Sequence, residues 1–422
     1  MKSVSTVLLS LLLVLISAST LLAQNDEDDY ETRRSRIGLE YRMFRVALIP
    51  GLSTNGIDAD EYASKYSLNI VAGYNGALEK GLELGGLVNI NKYYAHGVQL
   101  AGLGNISGDE TTGVQLAGLF NYSNDEMQGI QLSGGANISE DDMQGLQLAG
   151  AVNWSDGNAQ GIQISGAANI ARNDMQGLYL TGGVNIASGN MQGILSSGVV
   201  NFAGRDMQGL MLTGGLNYSE MFQGIAFGTV NVAKEFQGIQ LGTVNVAEFG
   251  QGIQAGIINY GKRLEGLPVG LISYYEEGRS DLDLWTSDGG FVNYGVKLGT
   301  DDVYNMISIG YNAALSREVW QLGWSIGSLK EFKTHFRYND FSVFKINEGD
   351  WTSDLNMLFK YRLLFGKDFG KGIQLYGGPT FNMLISRIDA SSDYTWYTLF
   401  DFGAKGRDYR FWIGYAFGVE LF

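Results

Sequence analysis

Residues 129–144 read GIQLSGGANISEDDMQ, one copy of a sixteen-residue unit whose reading decides the fold. Eight such units begin at Gly81, Gly97, Gly113, Gly129, Gly145, Gly161, Gly177 and Gly193. The unit from Gly209 has fifteen residues, and those from Gly224, Gly238, Gly252 and Gly266 have fourteen. A fixed short period means one supersecondary element stacked on copies of itself. Within the quoted unit Ile130 and Leu132 alternate with Gln131, and Ala136 and Ile138 flank Asn137, which is the period-two pattern of β-strands.

The shortened units distinguish two all-β architectures. In the unit from Gly238 one residue is missing between the pair Ile239/Leu241 and the pair Val244/Val246. In one continuous strand that loss would turn the second pair to the opposite face. If the small residues Ser133-Gly134-Gly135 and Gly242-Thr243 are corners, both pairs can point inward in every unit. The expected fold is therefore a repeat β-solenoid with two short strands per coil and about thirteen coils, followed by an antiparallel β-sheet or barrel. Met127, Met143, Met175, Met191 and Met207, with Phe222 and Phe236 later, are expected to supply a further inward contact. The alternative is one large antiparallel meander closed as a transmembrane β-barrel, its register repaired by bulges.

Asn recurs at one position of the unit: Asn89, Asn105, Asn121, Asn137, Asn153, Asn169, Asn185, Asn201, Asn217, Asn231, Asn245 and Asn259. Stacking at the interstrand spacing of about 4.8 Å lets each amide donate to the next, giving a structural ladder. Gln99, Gln115, Gln131, Gln147 and Gln163 can form a second one. Pro268 is the sole proline of the repeats and takes the Gln position in the last unit, where no further strand needs its N–H.

The flanks read differently. Residues 1–24 have the pattern of a cleaved signal peptide: Lys2, the apolar run 7–16, then small residues to Ala23. Residues 25–80 hold an acidic tail and strand candidates at 36–50 and 66–74, which could cap the first coil or complete the C-terminal sheet. The tandem repeats occupy 81–279 and a distinct β-domain 280–422. In the latter, strands are expected at 291–299, 303–313, 319–329, 333–346, 354–366, 372–388, 394–405 and 409–422. Leu355, Met357, Phe359, Tyr361, Leu363 and Phe365 share a face opposite Asn356, Lys360 and Arg362, while Phe411 through Leu421 alternate with Gly414, Ala416 and Gly418. An even number of strands, apolar outside and small or polar inside, is the outer-membrane barrel signature.

Composition excludes several functions. There is no cysteine, hence no disulfide or thiolate metal site. A net charge of −15 argues against nucleic acid as partner. The two histidines, His96 and His335, are far apart in sequence and lack a recurring acidic partner, so neither a triad nor a zinc site is expected. The turns Asn124-Asp125-Glu126 and Glu140-Asp141-Asp142 lack the spacing of calcium-binding nonapeptides. No catalytic residue, metal ligand or cofactor is expected.

The run G-V-Q-L-A-G-L-x-N, the stretches PGLSTNG, LNIVAGYNG and LELGGLVNI before it, and GLPVGLISYY at its close resemble bacterial surface-repeat proteins. These are secreted or outer-membrane proteins with tandem repeats and a β-rich C-terminal portion; the likeness covers about residues 50–275. It implies export to an outer membrane or cell surface, and brings no activity or site residues. The expected function is a non-enzymatic envelope protein with a structural or adhesive role, its surface ligand unspecified. A secreted carbohydrate-active solenoid enzyme and a large outer-membrane pore are the alternatives.

Overall fold

The computed structural model describes residues 27–422 apart from 334, 371, 389–392, 396, 405 and 422. The expected signal peptide and Phe422 lie outside the described residues. The chain is 74% strand and 3% helix, arranged as a parallel β-solenoid of about 12 turns and a closed 8-strand antiparallel barrel. It divides into two compact units, 1–221 and 222–422, so the second holds the last coils as well as the barrel.

In the first unit, strand neighbours are one repeat apart. Met127–Ser133 lies parallel between Thr111–Ala117 and Met143–Ala149, with Gly129 opposite Gly113 and Gly145. Ala136–Ser139 lies likewise between Phe120–Ser123 and Val152–Ser155. A meander would pair successive strands antiparallel, so the repeats do not form one. The segment before the repeats joins the same stack: Glu40–Ile49 runs parallel to Tyr62–Asn69, which runs parallel to Ala77–Gly85. Thus the segment begins the solenoid and is not part of the C-terminal sheet.

The repeating glycine follows from backbone contact. Gly145 has φ 132°, and an added Cβ would sit 2.0 Å from the carbonyl oxygen of Gly129 in the coil before. Only glycine takes that conformation and that approach.

The interior departs from the sequence expectation. Gln131, Asn137 and Ser139 are fully buried, whereas Ile130, Leu132, Ala136 and Ile138 point outward and are partly exposed. The two-strand coil and the corner at 133–135 are as expected; the apolar pairs are not inside. The physical reason is strand alternation. Asn137 sits between Ala136 and Ile138, so a buried Asn row and an inward apolar pair exclude each other. Identical amides in register satisfy one another, and the amides take the inside. Met127, Met143, Met175, Met191 and Met207 are buried at one end of each coil as expected, as are Phe222 and Phe236 in the second unit.

In the second unit the shorter coils merge their strands. Val230–Leu241 pairs parallel with the strand Val244–Tyr275, Asn231 opposite Asn245 and Gln237 opposite Gln251, with in-phase strands throughout. The barrel follows. Its walls are Arg279–Ser287, Phe291–Gly299, Val303–Asn312, Val319–Phe332, His335–Glu348, Asn356–Asp368, Ile373–Ser386 and Arg407–Leu421. The last pairs antiparallel with the first, from Leu282 opposite Leu421 to Ser287 opposite Ala416, closing the ring. The strand expected over 394–405 is not among the barrel walls; of its described residues Phe400–Ala404 form a strand, pairing with the start of Arg407–Leu421. Arg279–Ser287 takes its place, burying Asp281, Asp283 and Trp285 while Leu282 and Leu284 face out.

Candidate functional site

The Asn ladder runs unbroken through the first unit. From Asn69 to Asn217, each Nδ2 donates to the Oδ1 of the next coil at 2.7–3.0 Å. The second amide hydrogen also finds a partner: Asn153 donates to the Ile164 carbonyl at 2.9 Å as well as to Asn169. Gln115, Gln131, Gln147 and Gln163 each donate backwards, to the Gln of the preceding coil, at 2.7–2.8 Å. The two ladders thus point their amide dipoles in opposite directions. The Gln ladder stops where Tyr179, Leu195 and Met211 fill the same interior position.

A charged pair starts both ladders. Glu83, wholly buried, accepts from Gln99 at 2.9 Å, Asn91 at 2.7 Å and Asn69 at 2.9 Å. Arg45, also buried, donates to Ser67, Asn69 and the Tyr74 carbonyl. Beside it the helix Glu27–Ile37 is held by Arg34 on Glu79 at 2.9 Å and Arg33 on Asp109 at 2.6 Å. His96 meets Glu110 at 2.7 Å, a single pairing and not one that recurs with the repeat. That hydrogen bond, reinforced by Arg33 and opposed by burial, brings the Glu110 carboxyl down to about 2.

The second unit ends its ladder on the barrel wall. Asn245 donates to Asn259, and Asn259 to Ser273 Oγ at 3.0 Å; Ser273 donates to Asn305 Oδ1 at 2.7 Å. Asn305 also accepts from the Gly270 N–H and donates to the Pro268 carbonyl, while Trp324 Nε1 donates to the Gly270 carbonyl at 2.7 Å. Two side chains of the barrel therefore satisfy the open edge of the last coil, which would otherwise present unpaired backbone groups. Asn259, the last of the recurring asparagines, is therefore not the end of the hydrogen-bonded row.

Inside the barrel sits a network of opposite charges among aromatic rings. Lys297 contacts Glu420 and, at 3.1 Å, Asp283; Arg279 reaches Glu420 at 2.9 Å; Arg362 reaches Asp340 at 2.7 Å. Tyr338 donates to Glu420 at 2.7 Å and Tyr304 to Asp340 at 2.9 Å. Trp285, Phe336, Phe344 and Trp412 fill the remaining space. Eight strands enclose just enough room for side chains. Lys360 and Arg362 were legible as inward residues from strand alternation. Asp283, Lys297 and Glu420 carry the same signal, a charge between two apolar residues, in Leu282-Asp283-Leu284, Val296-Lys297-Leu298 and Val419-Glu420-Leu421, whereas Asp340 and Arg279 do not.

The outer surfaces are the inverse. On the barrel Leu284, Tyr294, Ile309, Phe341, Tyr361, Phe381, Ile413 and Phe417 are exposed. The charged residues of these outward rows, Lys330, Arg337, Lys345, Lys367 and Arg407, lie near strand ends. On the solenoid a groove of about 1100 Å³ runs along the stack, lined by Leu84, Leu100, Leu116, Leu132, Leu148 and Ile164. A polar cavity of about 810 Å³ at one end of the barrel is lined by Asp281, Asp301, Asp302, Glu331 and Asp368 together with Arg279 and Lys330. Among the described residues, no group of three or more His or acidic side chains is placed to hold a metal ion.

No family model, curated protein or solved structure matches the chain.

Proposed function

We propose that the chain is an exported, non-enzymatic protein of a bacterial outer membrane, in which the barrel is the anchor and the solenoid performs structural or adhesive work. The observation that carries this reading is the barrel's inverted polarity. Its outward rows are apolar through their central portions, and its ion pairs lie inside. The eight walls pair neighbour to neighbour and the last with the first, the closed arrangement that a hydrocarbon environment demands of a spanning sheet. That no helix is long and apolar enough to cross a membrane does not bear on a barrel, which crosses with strands.

The alternatives fit less well. A pore needs an open lumen, and here Tyr304, Tyr338, Tyr376 and Trp285 pack the interior. A carbohydrate-active solenoid needs carboxylates facing a polar groove, whereas this groove is lined by leucines. Fractionation of cells expressing the full chain tests the proposal. Recovery in the detergent-extractable outer membrane, with heat-modifiable electrophoretic mobility, is expected; recovery as freely soluble periplasmic protein would overturn it.

A further inference from the structure

The solenoid has an inverted polarity of its own, independent of the barrel's. Between Gly97 and Ser219 every Asp, Glu, Lys and Arg falls in the turn that joins one coil to the next, as in Asp125-Glu126, Glu140-Asp141-Asp142 and Arg205-Asp206. From each repeat glycine between Gly97 and Gly209, the first eleven residues carry none of these charges; residues 145–155, GLQLAGAVNWS, are an example. A coil therefore has one acidic edge, two uncharged faces and an uncharged corner. That corner exposes Leu87, Leu103, Leu119 and Val199, the last two more than half accessible.

Polarity is graded between the two edges. Next to the acidic turn an exposed row of Gln128, Gln144, Gln160, Gln176 and Gln192 is linked coil to coil at 3.0–3.4 Å. Beyond it come the outward Ile130 and Leu132 rows, then the corner. From Ile130 to Ser133, where the strand meets the corner, the strand rise gives about 10 Å, within the about 15 Å of hydrocarbon in one leaflet. Most polar groups of the interior need no water, because each amide ladder satisfies its own members and the backbone pairs coil to coil, Gln163 Oε1 at the end of the Gln ladder being an exception. Amides such as Asn137 and Gln131 stay wholly buried while leucines face out, an arrangement that raises stability in lipid and lowers it in water.

We propose that the solenoid is itself a membrane-contacting element: its uncharged corner and faces lie among lipid acyl chains, the Gln row at the headgroup level and the acidic turns in water. The axis then runs along the membrane plane, and the leucine groove holds acyl chain. The occupant is lipid hydrocarbon. A second copy of the chain stacked face to face is the competing occupant, and acidic edges brought alongside each other would weigh against it by repulsion. The proposal rests on export to a membrane but not on insertion of the barrel.

Because the chain has no cysteine, single substitutions label it cleanly. Full-length Leu119→Cys, Leu132→Cys, Asp141→Cys and, on the barrel, Ile309→Cys carry an environment-sensitive fluorophore. Each is folded into phosphatidylethanolamine–phosphatidylglycerol vesicles containing lipids with a nitroxide on the acyl chain. Labels at 119 and 132 are expected to lose most of their fluorescence, and the label at 141 almost none. Retention of fluorescence at 119 and 132, with free access to a water-soluble quencher, overturns the proposal. So does shielding from both quenchers with thiol crosslinks between copies at 119, which assigns the face to a second chain. The label at 309 reports on the barrel alone, so loss of the anchor reading and loss of this one are separately visible.

Discussion

The solenoid and the barrel both place polar groups inside and apolar groups outside, yet they satisfy their interiors by opposite means. In the solenoid, neutral and identical amides repeat along an axis, and each is held by its copies one coil above and below. In the barrel, unlike charges meet once: Lys297 has Glu420 and Asp283, Arg362 has Asp340, and no second copy exists. A ladder needs only periodicity, so repeat sequence suffices to build it. A charge network needs particular residues brought together from distant strands, Lys297 and Glu420 being separated by most of the barrel sequence. The first is tolerant and extensible; the second is specific and brittle.

The comparison is tested most severely at the brittle end. Lys297→Met removes a buried cation and leaves Glu420 and Asp283 without it. Breaking a buried pair from one side costs about 3–5 kcal/mol, and denaturant titration should read that loss. A double replacement, Lys297→Met with Glu420→Leu, should recover part of it, because two apolar side chains leave one fewer uncompensated charge. If the single change proves harmless, the network is not what specifies the barrel.

Next comes the ladder. Asn153→Ala leaves the Asn137 amide without its acceptor and the Asn169 oxygen without its donor. Each stranded buried group costs about 1–3 kcal/mol. Asn259→Ala should cost about as much, since Ser273 and Asn305 continue the chain of bonds. A markedly smaller effect at Asn259, read by thermal melting, would mean that the handover to the barrel wall contributes little.

These expectations separate what was legible in sequence from what was not. Periodicity revealed the coil, the corner, the Asn and Gln ladders and the Met row, because each depends on spacing alone. The direction of the faces was misjudged: Ile130 and Leu132 read as a core by the ordinary rule that apolar residues go inside. The rule presumes water outside, and strand geometry with a buried Asn137 overrides it. Barrel walls were legible wherever alternation was clean, as at Met357–Phe365. The closing strand Arg279–Ser287 was missed because Asp281 and Asp283 look like surface charges until their partners across the ring are known. Glu83, Arg45, Asn305 and Trp324 occur once each, and pairing between distant elements leaves no local periodic trace.

A smaller effect is expected at the helix Glu27–Ile37. Glu110 has a folded pKa of about 2, held down by its hydrogen bond to His96 and by Arg33. A depressed carboxylate contributes stability that is full above its unfolded value, near 4.5, and lost as pH falls toward the folded one. Given its partial exposure, about 1–3 kcal/mol is at stake. Amide protection factors along 32–37, corrected for the intrinsic exchange rate at each pH, should therefore fall between pH 4.5 and 2, and Glu110→Gln should flatten that dependence. A fall in protection that persists in the variant would place the titrating group elsewhere.

The smallest effect sharpens the comparison most. The exposed Gln row repeats as regularly as the buried Asn row, and Gln144 donates to Gln160 just as Asn137 donates to Asn153, though at 3.4 Å against 3.0 Å. If repetition alone stabilised the stack, the two rows would matter equally. Burial says otherwise: a stranded exposed amide bonds to water, and surface changes away from special features stay within about 0.5 kcal/mol. Gln144→Ala should therefore leave the melting temperature nearly unchanged in detergent, while Asn153→Ala lowers it. The same substitution measured in vesicles has a second use. On the membrane-contact proposal, replacing Gln144 by Ala places one more apolar side chain beside the Ile130 and Leu132 rows, so membrane association should hold or rise. A loss of stability at Gln144 as large as at Asn153 would show that register, and not dryness, is what the amide ladders contribute.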